Sequence, residues 1–77
     1  MSTIQAELEY IIKSIVTNPD SITINSRQEG DVLILEIGAD PEIIGQIIGK
    51  EGKIIKSIRN ILNLSFPSQK YTLDIKD

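Results

Sequence analysis

Isoleucine recurs at helical spacing on both sides of a four-residue break. Ile43, Ile44, Ile47 and Ile48 come before it, and Ile54, Ile55, Ile58 and Ile61 follow, continued by Leu62. The break is Gly49-Lys50-Glu51-Gly52, and two glycines so placed end one helix and open another, so the loop joins two helices. The 77 residues give a single domain, 1–77, because a chain this short buries only about 60 to 65% of its surface and cannot divide that between two cores. Seventeen residues are Ile, whereas the aromatics are Tyr10, Phe66 and Tyr71 alone. A thin, aliphatic, β-branched core of mixed helix and sheet follows from this.

The rest of the chain supplies four more elements. Ile4, Leu8, Ile11, Ile12 and Ile15 keep helical spacing from Ser2, and Ser2 with Gln5 has the form of a capping box. Asn18-Pro19-Asp20 ends that helix. Ser21 to Arg27 alternates Ile22, Ile24 and Ser26 against Thr23, Asn25 and Arg27, the pattern of a half-buried strand. Glu29-Gly30-Asp31 turns the chain, and the β-branched and Leu run Val32 to Ile37 pairs antiparallel with the first strand. Asp40-Pro41 starts the next helix, with the carboxylate as cap and proline at the first helical position. Ser65-Phe66-Pro67-Ser68 reads as a loop, and Lys70 to Asp74 as a closing strand. The expected order is helix, strand, strand, helix, helix, strand.

No Cys and no His are present, which removes the usual zinc and redox ligands and the commonest acid/base group and nucleophile. The chain is expected to be non-catalytic and to need neither metal nor cofactor. Pairs such as Glu7 and Glu9, or Asp40 and Glu42, have no neighbouring ligand or nucleophile to complete a site. With no disulfide or metal open to so small a core, dimerisation is the remaining aid. The N-terminus carries acids where a signal peptide needs bases, and no apolar run nears the roughly 18 residues that span a bilayer. A cytoplasmic protein without membrane insertion is expected.

The net charge of -3 hides an asymmetry. Residues 1 to 49 hold eight acids and two bases, whereas residues 50 to 77 hold six bases and three acids. Lys50, Lys53, Lys56 and Arg59 fall within ten residues, three of them at helical spacings of three. Glycines let a backbone approach a phosphodiester, and the N-H groups at the start of the second helix attract anions. Lys50 adds a charge inside the loop, and Lys53, Lys56 and Arg59 extend it as a positive rail. On the other side of that helix Ile54, Ile58 and Ile61 are expected on the sheet, with Ile55 nearer the boundary and open to a base. Gly45 is expected to let helix and sheet approach closely, or to open a groove lined by Gly45, Ile48 and Ile55.

The string Ile44-Gly45-Gln46-Ile47-Ile48-Gly49-Lys50-Glu51-Gly52-Lys53-Ile54-Ile55-Lys56-Ser57-Ile58 closely resembles the signature of the KH domain, an Ile-Gly-x-x-Gly-x-x-Ile core bridging two helices. The element order resembles the type II form, and the length resembles the small stand-alone single-KH proteins of bacteria. The resemblance implies an α+β fold of order α-β-β-α-α-β, with a three-stranded sheet covered on one face by helices. It implies non-catalytic binding of single-stranded RNA, about four nucleotides being held between the loop and the sheet edge. It further implies an RNA chaperone or post-transcriptional regulator that forms a homodimer, or a heterodimer with a second KH-containing protein.

On that basis Gly49, Lys50, Glu51, Gly52, Lys53, Lys56 and Arg59, with Gly45, Ile48 and Ile55, are the expected RNA-binding residues. Glu51 departs from the pattern, since its charge partly cancels Lys50 beside the phosphates. The competing reading is a protein-interaction or dimerisation module on the same fold with weak or no RNA binding, favoured by the acidic balance and Glu51.

Overall fold

The computed structural model describes residues 3–76. Three helices and three strands follow one another as α1 (Ile4–Ile15), β1 (Thr23–Glu29), β2 (Val32–Gly38), α2 (Pro41–Ile48), α3 (Lys53–Ser65) and β3 (Tyr71–Lys76), with short 3-10 turns at Pro19–Ser21 and Lys50–Gly52. This is the α-β-β-α-α-β order of an α+β, type II KH fold.

α1 is capped by Thr3, whose hydroxyl oxygen accepts from the Ala6 N-H at 3.1 Å. The expected cap at Ser2 lies outside the described residues. The helix ends at Ile15, ahead of Pro19, which opens the 3-10 turn instead of a strand. β1 therefore starts at Thr23, two residues later than the alternation alone placed it, and it runs on to Glu29. Asp40 occupies the cap position of α2 without a side-chain hydrogen bond, and only its backbone carbonyl is used, by Ile44 N at 2.9 Å. Proline at the first helical position suffices to start this helix.

The sheet has the order β1-β2-β3, β1 antiparallel and β3 parallel to β2. The rows Ile24/Ile37/Ile75 and Ser26/Leu35/Leu73 cross it on one face. Leu35 and Ile37 are fully buried there against Leu8 and Ile12 of α1, Ile43, Ile44 and Ile47 of α2, and Ile58 and Leu62 of α3. Alternation puts Arg27, Glu36 and Lys76 on the opposite face, where Glu36 accepts from both cations. Those two hydrogen bonds, Lys76 first and Arg27 second, hold the Glu36 carboxyl below its ordinary range, and the bond to Glu29 and then that to Glu36 raise Arg27. β3 begins at Tyr71 and ends at Lys76, because the parallel register with Leu33 to Gly38 continues to the end of β2.

Two packing expectations change. In α3, Ile58 and Leu62 form the buried ridge, while Ile54 and Ile61 are 39% and 44% exposed. The helix axis is rotated so that Leu62, one turn after Ile58, takes the place assigned to Ile61. Gly45 is exposed and a Cβ there would meet nothing within 4 Å, so it mediates no close approach of α2 to the sheet.

Candidate nucleic-acid interface

α2 stops where the backbone turns over at Gly49, with φ 77° and ψ 174°, while Gly49 N-H still bonds the Gly45 carbonyl at 2.9 Å. Only glycine adopts this conformation readily. A Cβ on Gly49 would clash with Ile54 Cγ1 and stand 2.9 Å from the Ile54 backbone nitrogen, so Ile54 lies directly over the loop's first glycine. Lys50–Gly52 then makes one 3-10 turn, closed by Gly52 N-H on the Gly49 carbonyl at 3.2 Å. Two successive left-handed residues, Glu51 at φ 57° and Gly52 at φ 75°, aim the chain into α3.

The result is an open helix N-terminus. No side chain caps α3, and its first turn carries no acidic residue. The Lys53 N-H bonds the Lys50 carbonyl, so it is the amides that follow it in the first turn that can meet an oxyanion, with the helix dipole adding its positive end. Lys50 and Glu51 are exposed beside them. Ile48 and Ile55, half-buried, pack on the edge of the core on either side of the loop. Gly45 sits on the same side of α2 as Ile48 and Gly49, exposed one turn before them.

Charge pairing divides the eight bases into two groups. Lys13 pairs with Glu9 at 2.8 Å, Arg27 with Glu29 and Glu36, Lys70 with Asp31 at 2.8 Å, and Lys76 with Glu36 at 3.0 Å. Lys50, Lys53, Lys56 and Arg59 form no ion pair with any described residue, and all four are exposed. At about 100° per residue the steps of three carry the rail round α3 as it rises, from the outer surface at Lys53 towards the β3 side at Arg59. Lys56 and Arg59 are neighbours on α3, whereas Ile55 lies about 160° round the helix from Lys53, so the expected residues do not all lie on one face of α3, and Ile54 lies over Gly49 on the side away from Arg59.

Sequence reasoning missed what lies beyond Arg59. The Tyr71 hydroxyl on β3 donates to Asn63 Oδ1 at 2.7 Å and reaches the Arg59 carbonyl at 3.3 Å, tying α3 to the sheet edge. Burial raises the Tyr71 pKa above its ordinary value, so the hydroxyl keeps its proton. Asn63 was legible in principle, since it stands four residues after Arg59 and seven after Lys56 on one helical face. Among the described residues no group of His, Cys, Asp or Glu is placed to hold a metal ion, and no helix is long and apolar enough to cross a membrane.

A family model described as "KhpA/KhpB, KH domain" matches residues 5–75. A protein of Halalkalibacterium halodurans named RNA-binding protein KhpA is 31% identical over 72 residues, 91% of this chain and 95% of that one. Proteins of the same name from Clostridium perfringens and Chlamydia pneumoniae are 38% and 44% identical over 55 residues, 71% of this chain and 73% and 70% of theirs. Among solved structures, Era in complex with MgGDPNP and nucleotides 1506-1542 of 16S ribosomal RNA superposes with a TM-score of 0.60 at 21% identity, over 94% of this chain and 28% of that one. The likeness to Era is one of fold.

Proposed function

The chain belongs to the KhpA/KhpB KH-domain family, and from that premise we propose that it binds single-stranded RNA without catalysis, gripping it at Gly49-Lys50-Glu51-Gly52 and along α3. The observation that carries the assignment to this surface is the set of four cations that form no ion pair among the described residues, beside a helix N-terminus with no side-chain cap. Lys50 and the loop amides hold one phosphate, and Lys53, Lys56 and Arg59 neutralise the following ones. Gly45, Ile48 and Ile55 supply an aliphatic wall against which bases lie by van der Waals contact. The relatives' name, RNA-binding protein KhpA, supports the ligand class. A cytoplasmic RNA chaperone or post-transcriptional regulator is the role that suits such a module.

A second reading rests on a different face. Ile54, Ile61 and Leu64 are 39%, 44% and 83% exposed and lie on the side of α3 turned away from Arg59 and Asn63. This apolar stripe suits a homodimer, or a heterodimer with a second KH-containing protein, and it leaves Lys56 and Arg59 free for RNA.

Fluorescence anisotropy of short labelled single-stranded RNAs tests the first reading. Four neutralised phosphates give a log-log salt slope of about -3 for a single strand. Lys50→Asp should abolish most of the affinity and flatten the slope. Equal binding by the variant, or a slope near zero, would refute the loop assignment and leave the interaction module standing.

A further inference from the structure

The loop takes its place from α2, and α2 is a weak element. It has eight residues, fewer than the roughly 12 an isolated helix needs, and the exposed Gly45 in its middle is a poor helix former. Ile43, Ile44 and Ile47, buried on one side, hold it to the core. Apolar contact is non-directional, so those three side chains keep α2 against the core without fixing its roll about its own axis. The loop follows at once. Gly49 N-H bonds the Gly45 carbonyl at 2.9 Å, and no side chain of Lys50–Gly52 caps either end of its 3-10 turn, so a roll of α2 carries Gly49 and Lys50 with it.

One polar contact sets that roll. Gln46 Oε1 accepts from the Thr17 N-H at 2.9 Å and lies 3.4 Å from the Thr17 hydroxyl oxygen, and Gln46 Nε2 donates to that hydroxyl at 3.0 Å. Both ends of the side-chain amide are used, so the pair is a two-point clasp, directional where the apolar contacts are not. Among the described residues these are the side-chain hydrogen bonds that α2 makes, and Glu42, its one ionisable residue, forms no ion pair. Thr17 stands 29 positions earlier, in the segment between α1 and the Pro19–Ser21 turn, so the clasp ties the end of α1 to the turn of α2 that precedes the loop. Gln46 lies about 160° round α2 from Ile48, on the flank away from the aliphatic wall, and Thr17 is none of the residues assigned to RNA.

We propose that Gln46 and Thr17 are positioning residues for the RNA grip: their clasp fixes the roll of α2, and with it the place of the loop, without touching the strand. The clasp's role rests on the reading of the loop as an RNA clamp. Loss of the clasp lowers the fraction of molecules whose loop is correctly placed, and the apparent affinity falls with that fraction. The competent fraction makes the same phosphate contacts, so the salt slope stays the same. Lys50 differs in this, because its loss removes a phosphate contact and flattens the slope.

The experiment titrates labelled single-stranded RNA with the wild-type chain, Gln46→Ala, Thr17→Val, the double variant and Thr17→Ser. Two salt concentrations are used, at a temperature where thermal unfolding shows every variant folded. Gln46→Ala and Thr17→Val should each weaken binding by about 2- to 10-fold, the scale of one net hydrogen bond, at the wild-type salt slope. The double variant should bind no worse than Gln46→Ala, because two residues that act through one contact are not additive. Thr17→Ser keeps the hydroxyl and should bind like the wild type. Without RNA, amide hydrogen exchange at Gly49 and Gly52 should quicken in both single variants, while the amides of β2 keep their wild-type rates. Wild-type affinity in Gln46→Ala and Thr17→Val, even with a lowered thermal midpoint, would overturn the positioning role and leave the loop clamp intact. Weaker binding by Gln46→Ala with Thr17→Val unaffected would overturn it as well, by making Gln46 itself an RNA contact. No RNA binding by the wild type would overturn the loop clamp and the clasp's role together.

Discussion

Gly49→Ala isolates the strain that shapes the loop. At φ 77° and ψ 174° an alanine sits in a region open essentially to glycine alone, at a cost of about 1 to 3 kcal/mol. Its Cβ also clashes with Ile54 Cγ1 and meets Ile54 Cβ at 2.8 Å and Ile54 N at 2.9 Å. The side-chain atoms can swing aside, but the nitrogen belongs to the first turn of α3, so the helix itself must shift. Overpacking of that kind adds about 1 to 3 kcal/mol. The sum, about 2 to 6 kcal/mol, is a large share of the roughly 4 to 12 kcal/mol that a domain of this size has in all. Two other glycines serve as controls. Gly30 has φ 62° and open space around it, so Gly30→Ala should cost only about 1 to 2 kcal/mol. Gly45 is helical, exposed and unobstructed, and Gly45→Ala should stabilise by about 0.5 to 1 kcal/mol. Urea unfolding followed by circular dichroism ranks the three, and each kcal/mol moves the thermal midpoint by about 4 to 8 °C. A Gly49→Ala cost no larger than that of Gly30→Ala would refute the account. Adding Ile54→Ala to Gly49→Ala should recover part of the clash and none of the dihedral cost.

Two further outcomes follow from the same geometry. Glu51 is the one described non-glycine residue with positive φ, and asparagine tolerates that region better, so Glu51→Asn should hold or slightly raise stability in the same urea assay. Removing a negative charge beside the phosphates should also tighten RNA binding by about 2- to 5-fold at low salt. Glu36 is held below its ordinary carboxyl value of 4.5 by Lys76 and Arg27, so its contribution is fully present above that value and is lost as pH falls through the depressed one. Glu36→Gln should therefore be less stable than wild type near neutral pH and converge with it on acidification, as unfolding across a pH series would report. A constant gap between the two at all pH values would show that the ion cluster is not its cause.

The element order was readable because each change of period, from helical to alternating and back, is marked by a residue with one strong local preference: Pro19, Gly30, Pro41, Gly49 and Gly52. What stayed hidden depends on tertiary rotation. Ile58, Ile61 and Leu62 are equally apolar and lie within one turn, so periodicity alone cannot say which two face the sheet. The orientation of α3 against α1 and β2 decides it, burying Ile58 and Leu62 and leaving Ile61 outside. The 3-10 turn at Pro19–Ser21 likewise moves β1 by two residues without altering its alternation, so the faces were legible where the boundary was not. The Tyr71 tie was invisible because it joins Arg59 and Asn63 to Tyr71 across a loop, and no spacing rule connects a helix face to the strand that follows it.

The charge of the chain raises a question that composition cannot answer, since a protein at -3 repels a polyanion at long range. Beyond a Debye length of about 8 Å that repulsion is screened, and binding is decided by what a phosphate meets at the surface. Here the acidic first half of the chain carries the bases of the sheet face and hairpin as internal pairs. Glu29 and Glu36 engage Arg27, Glu36 engages Lys76, and Asp31 engages Lys70. Among the described residues those pairs offset each cation of the sheet face and hairpin with at least one carboxylate. On the proposed reading the acids confine the favourable surface to the loop and its rail, so the same residues that weaken approach sharpen where a strand would be held. Loading the other surfaces with charge would reverse this: Asp31→Asn, which frees Lys70 just before β3, should speed association with RNA at low salt and leave the Lys50→Asp defect uncorrected, because the loop amides and Lys50 still set the grip.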